Sequence, residues 1–205
     1  MIEGSVRAAA AVSRRTERKD TMMKKAIVLA GALCAASLGG LSVAAAEPQA
    51  QPQQAPLPTL DKQDMGFVTD VAQGNLTEIR LGEIVARNAT NDEVRKYAQR
   101  MVDDHTKLNT QLATLMQQRK GVALPTALDK KHQDEVDKLA KETGDKLDRD
   151  YMSRMVDEHE KDVKAFEKIA KDAKDPELKQ FASGALPTLQ DHLTRAKEIE
   201  SRVKK

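Results

Sequence analysis

Met101-Val102-Asp103-Asp104-His105 returns further along the chain as Met155-Val156-Asp157-Glu158-His159. Each copy lies inside a long stretch whose apolar residues recur three and four apart, the spacing of one face of an α-helix. At about 100° per residue, each methionine shares a face with the histidine four places on, while the intervening acids turn sideways or outward. The phrase predicts two long amphipathic helices, each with a histidine on its buried face and its acids in solvent.

Two further helices flank these. The first helix of the chain starts near Asp61 or Asp64, either of which can cap it, and runs to about Asn88. Its inward line is Phe67, Val71, Asn75, Glu78, Leu81 and Val85, with Glu78 the one acid at its centre. Gly74 and Gly82 stand one turn either side of Glu78, where a neighbouring backbone or a ligand could come close. Ala89-Thr90-Asn91-Asp92 is a turn, and the second helix follows to about Lys120 with His105 mid-face. The third runs from about Asp145 to Asp172 and carries His159 and Asp162. Asp175-Pro176-Glu177 places a cap and a first-turn proline before the fourth helix, which runs to Val203 with His192 inward. Pro187 falls on its outer side and predicts a kink. The connection from Gly121 to about Gly144 is too long for a hairpin loop. It contains a short polar helix over Asp129 to Glu142, whose His132 is expected to be exposed.

Displacing the chain on itself by 84 residues sets Phe67 on Tyr151, Val71 on Met155, Ala86 on Ala170, Glu93 on Glu177 and Ala98 on Ala182. One register thus spans a helix, its turn and the start of the next helix. The reading is all-α: two related helical hairpins joined by a long crossover, the ferritin-like form of the four-helix bundle. The same register sets Asn75 on His159, Glu78 on Asp162, and His105 on Leu189, one turn short of His192. Glu78, His105, His159 and His192 all fall about 18–27 Å from a hairpin tip on helices about 40 Å long. They meet at mid-bundle whichever way the second hairpin is turned.

Composition agrees with helices: aromatic residues are 2% of the chain and tryptophan is absent. The first 46 residues stand apart. Met22-Met23-Lys24-Lys25 is a basic head, Ala26 to Val43 is apolar, and Ala44-Ala45-Ala46 is a small-residue cleavage pattern, so residues 22–46 read as a secretory signal cut after Ala46. The alternative is an uncleaved membrane anchor. Residues 1–21 read as a mis-assigned start or extended head, 47–60 as a flexible leader rich in Gln, Ala and Pro, and 61–205 as the bundle. The expected location is the periplasm or the exterior, with no membrane span after cleavage. Cys34, the single cysteine, lies in the signal, so the mature chain has no disulfide. Removing the first 46 residues leaves 27 basic against 29 acidic side chains. That balance offers no basic face for nucleic acid. Protein partners are not legible.

Leu81-Gly82-Glu83, the two five-residue phrases, Gly121-Val122-Ala123-Leu124-Pro125, Asp150-Tyr151-Met152 and Leu186-Pro187-Thr188-Leu189 together resemble the exported bacterial proteins grouped as domain of unknown function 4142. The resemblance covers about Asp64 to Ile199. It implies a ferritin-like bundle in the cell envelope and supplies no activity.

The inward polar residues form a candidate site for a transition-metal ion: Glu78, His105, His159 and His192, with Asp162 as an additional carboxylate. Three imidazoles and a carboxylate suit Zn, Fe, Mn or Cu without choosing among them. Met101 and Met155 would favour copper as thioether ligands, and otherwise read as core packing. The alternative is a metal-free buried Glu/His network in a structural or stress-related interaction protein. The di-iron pattern of ferritins needs a Glu three residues before each of two histidines. Here Val102 and Leu189 hold those places before His105 and His192. No catalytic residue is assigned. An enzyme would need an open coordination position, reached past small residues such as Gly74, Gly82 and Ala185.

Overall fold

The computed structural model describes residues 57–119 and 121–204. The expected signal at 22–46, the extension before it and the leader as far as residue 56 lie outside the described residues. Among the described residues all five elements are helices: α1 Lys62–Asn88, α2 Asp92–Gln117, α3 Lys130–Leu139, α4 Gly144–Asp172 and α5 Pro176–Val203. None is long and apolar enough to cross a membrane.

Capping sets most of the boundaries. The carboxylate of Asp61 accepts from the Asp64 amide, Asn91 from those of Glu93 and Val94, Asp129 from that of His132, and Asp175 from that of Leu178. Each satisfies donors that the first turn leaves free. α5 continues through Pro187, whose side chain is exposed. His132 is half-buried rather than exposed, because its Nδ1 lies 2.8 Å from the capping carboxylate of Asp129 and the ring is held against the helix start.

α1 and α2 form one hairpin, α4 and α5 the other. Their relative direction is fixed by two buried latches. At the first turn, the Asp148 carboxylate of α4 accepts from the Asn91 amide at 2.8 Å and from the amide and hydroxyl of Thr90. At the second, Arg119, just beyond α2, pairs with Asp175 at 2.6 Å and donates to the Pro58 carbonyl at 3.0 Å. The start of α4 therefore sits at the tip of the first hairpin, and the end of α2 sits at the tip of the second. The two tips occupy opposite ends of the bundle, and the connection from α2 to α4 returns along its whole length. Gln73 of α1 holds this crossover midway, donating to the Ala127 carbonyl and accepting from the Asp129 amide. Residues 57–60 are also tied down, since the Leu57 amide donates to the Gln118 carbonyl at 3.0 Å.

The apolar core falls into two blocks. One gathers Leu81, Val85, Tyr97, Met101, Tyr151 and Met155, the other Phe67, Val71, Leu112, Phe166 and Leu178. Gly82 lets α1 and α2 approach: a Cβ there would lie 2.9 Å from the Ala98 carbonyl oxygen and 2.8 Å from the Val102 side chain. Gly74 meets no such neighbour and does not serve helix approach.

Because the Arg119 side chain is fully buried on a nearly buried Asp175, removing it strands a carboxylate. Arg119→Ala is expected to cost about 3–5 kcal/mol, read as a lower urea midpoint with an unchanged slope.

Candidate metal centre

Between the two apolar blocks lies a polar layer to which each long helix contributes. α1 supplies Glu78 and Asn75, α2 His105, α4 His159 and α5 His192, all less than 4% exposed. Helical spacing accounts for the pairs on α1 and α4. Asn75 with Glu78, and His159 with Asp162, are three apart and share a face. The 84-residue register sets them in equivalent places on the two hairpins.

His105 Nε2 lies 3.0 Å from Glu78 Oε2, and His159 Nε2 lies 3.6 Å from the same oxygen. His159 Nε2 is also 3.2 Å from His192 Nδ1. One nitrogen from each of the three rings lies within 4.8 Å of the other two. The structure thus brings together the four residues read as the site. Asp162 adjoins it beside Glu78, whose carboxylate helps to raise its pKa. Met101 and Met155 are fully buried within the apolar block and serve as packing.

The outward nitrogens are occupied too. His105 Nδ1 lies 3.0 Å from Asn75 Oδ1, His159 Nδ1 2.9 Å from the Met155 carbonyl, and His192 Nε2 2.8 Å from an Asp104 oxygen. A carbonyl only accepts, so His159 Nδ1 carries a proton and donates. Asp104 has its carboxyl pKa lowered: burial opposes this, but contact with His192 and Arg100 outweighs it. His192 Nε2 therefore donates to a carboxylate. Asn75, oriented with its oxygen toward the ring, accepts from His105.

Asp104 corrects the sequence reading, which dressed the surface with the acids of the repeated phrase. It does pair with Arg100, at 3.2 Å, as that reading required. The same oxygen, Oδ2, also meets His192 of α5 at 2.8 Å, and Arg100 reaches on to Asp191 at 2.6 Å. Asp103 keeps to the surface on Gln99. Asn75 lay on the predicted inward line, but nothing in the sequence marked it as the partner of His105. Nor did any local signal mark Asp104, since an acid four residues from an arginine reads as an ordinary surface ion pair on a helix.

Burial disfavours charge throughout the layer, and the neighbours then sort the groups. Burial raises the Glu78 carboxyl, but the three imidazoles outweigh it and hold the group well below its ordinary range. Burial lowers His105, but the charge and contact of Glu78 more than restore it, so its pKa is raised. Burial depresses His159, helped by the charge on His105, and pushes His192 down to about 4. Asp162, half-buried beside Glu78, is pushed up to about 8, first by burial and then by that carboxylate. At neutral pH the layer holds a Glu78 carboxylate, a protonated Asp162 and neutral imidazoles at His159 and His192, with His105 the ring whose proton is held most firmly.

These features define a class: a ferritin-like bundle of two inverted hairpins, with a buried carboxylate and three imidazoles converging at mid-height. The chain belongs to the family "Domain of unknown function (DUF4142)", matched over residues 48–199. Among solved structures it is similar to a DUF305 fragment from Deinococcus radiodurans, at 17% identity and a TM-score of 0.61, covering 71% of this chain and 99% of that one. It is also similar to a DUF305 protein from Streptomyces coelicolor described as secreted, at 15% identity and a TM-score of 0.58, covering 69% and 94%. A third is CopM in its Cu(II)-bound form, at 17% identity and a TM-score of 0.58, covering 68% and 96%. At these identities the likeness shows the fold. No curated protein sequence matches the chain.

The raised Asp162 gives a pH signature in metal-free protein. A carboxyl whose pKa is higher folded than unfolded keeps its proton in the native state while the unfolded chain loses it. Its contribution to stability therefore falls as pH rises from its unfolded value of 3.8 to about 8. Asp162→Asn is expected to flatten that decline, so its stability gain over wild type grows across this range in urea titrations at successive pH values.

Proposed function

We propose that the protein is an exported helical bundle that binds one transition-metal ion at Glu78, His105, His159 and His192. One observation carries the reading. The outward nitrogens of His159 and His192 are committed as donors, and both rings are held neutral, so two lone pairs face each other at 3.2 Å. Such a pair is repulsive unless a cation or a proton lies between. A shared proton would make one buried imidazole cationic beside His105, which burial and like charge both oppose. Bound to an ion at about 2.0–2.1 Å, tetrahedral ligand atoms stand about 3.3–3.4 Å apart; the Glu78–His105, Glu78–His159 and His159–His192 separations are 3.0, 3.6 and 3.2 Å, and the three ring nitrogens lie within 4.8 Å of one another.

Glu78 would supply negative charge. The outer contacts of Asn75, the Met155 carbonyl and Asp104 would hold each ring in its ligating tautomer, the usual arrangement around metal-bound histidine. The ion would act there as a Lewis acid or a stored cargo, held between the two apolar blocks. Neutral imidazoles with one carboxylate accept zinc, copper, iron or manganese. The Cu(II)-bound form of CopM makes copper a natural first ion to test, by analogy of fold only. Export rests on the pattern of residues 22–46. The metal-free alternative is favoured by the Glu78–His105 ion pair, which balances its own charge at 3.0 Å. It leaves the facing His159 and His192 nitrogens unexplained.

Protein prepared without an affinity tag and stripped with chelator is expected to take up one ion per chain, by calorimetry and elemental analysis. His105→Ala and His159→Ala should abolish that uptake, and Asp104→Leu should weaken it about 10- to 100-fold. Affinity should fall as pH drops from about 8 to about 5, because each imidazole must be deprotonated to bind and His105 holds its proton above its ordinary pKa of 6.5. Absence of bound ion, with no thermal shift on adding zinc, copper, iron or manganese, would overturn the reading.

A further inference from the structure

The buried layer is sealed on most sides, with His159 fully enclosed and Glu78 only 3% exposed. Between α2 and α5 the enclosure is incomplete. A cavity of about 110 Å³ is lined by Asp104, His105 and Gln111 on α2 and by Gly184, Thr188 and His192 on α5. At about 30 Å³ per water, it has room for a few molecules. A wider groove of about 580 Å³ shares Gln111, Gly184 and Ala185 with it and continues outward along the same two helices. Two of the imidazoles in the layer thus border a space that leads to the surface, on the side where the sequence placed the small residue Ala185.

We propose that this α2/α5 cavity is the route by which the metal ion reaches and leaves the buried cluster, with Gly184 keeping it open. The inference rests on the metal-binding reading given above. Gly184 lies inside α5, where glycine costs about 0.5–1 kcal/mol relative to alanine. Helix packing does not account for it, since a Cβ there would meet no heavy atom within 4 Å. At Gly82, by contrast, a Cβ would strike the backbone of α2. Gly184 is exposed and lines both the cavity and the groove outside it, so a larger side chain there would stand at the junction between them without striking the helices. Asp104 stands on the cavity wall, partly exposed, and its carboxylate also holds His192. An arriving cation would meet that oxygen before the imidazoles. Lys107 lines the same space, so the wall carries one charge of each sign and passage depends on width more than on field.

The two tyrosines provide a probe. Tyr97 and Tyr151 are both buried, and Tyr97 donates to the His192 carbonyl at 3.2 Å. With no tryptophan in the chain, their quenching by Cu(II) reports occupancy of the site. Stopped-flow mixing of metal-free full-length protein with Cu(II) gives uptake, and mixing the loaded protein with EDTA gives release. Gly184→Leu is expected to slow both by about tenfold or more while leaving affinity within about twofold, as a narrowed path alters both rates alike. Gly74→Leu, also open at its Cβ but on α1, should keep wild-type rates. Gly184→Ala, melting no lower than wild type, controls for folding. Unchanged rates in Gly184→Leu, or equal slowing in Gly74→Leu, would overturn the route while leaving metal binding intact. A wild-type protein that binds no Cu(II) would overturn both.

Discussion

Burying the Glu78 carboxylate between two apolar halves of a bundle costs several kcal/mol unless positive charge and hydrogen bonds meet it there. The polar layer answers that cost. His105 faces the carboxylate at 3.0 Å, His159 lies 3.6 Å from the same oxygen, and Asp162 stands beside it with its proton retained to about pH 8. Each histidine must then settle its second nitrogen, and the bundle provides an amide oxygen, a backbone carbonyl and a carboxylate for the purpose. One buried acid thus accounts for the polar residues of four helices at one height. The price is a core divided into two apolar blocks.

That layer assembles because the hairpins are held in register from both ends. Asp148 grips the turn of the first hairpin and Arg119 the turn of the second. Gln73 pins the crossover between them. These residues lie outside the polar layer, yet a shift of one turn, about 5.4 Å, would carry His105 and His192 out of reach of Glu78 and Asp104. The latches are themselves buried polar groups, the Asp148 carboxylate met by Thr90 and Asn91 and the Arg119 NH groups by Asp175 and the Pro58 carbonyl. They specify alignment, whereas the apolar faces would tolerate sliding.

Much of the candidate site was legible in one dimension. A lone acid or histidine at the centre of an otherwise apolar stripe is conspicuous at a period of 3.6, which is why Glu78, His105, His159 and His192 could be read from spacing alone. Asn75 stood on the same stripe but could not be told from a neutral filler. Asp104 was hidden for a different reason: its position beside Arg100 satisfies the ordinary rule for an exposed helix pair. The contact that matters is with His192, 88 residues away and on another helix. Gly74 and Gly82 looked alike in sequence, each one turn from Glu78. Only Gly82 faces a helix backbone, so only there is the absent side chain required.

By itself the sequence determined the helices, their buried faces, the pairing into two related hairpins and the common height of four polar residues. These follow from local periodicity, capping residues and an internal repeat, all properties of neighbours along the chain. The tertiary structure decided that the hairpins are inverted, which ring nitrogens point inward, that an apparently exposed aspartate holds a buried histidine, and where the layer opens toward solvent. Each of those depends on the direction in which the crossover returns and on contacts between residues far apart in the chain. The mid-bundle height of the site is the same for either direction, so periodicity carried no information about which one is realised.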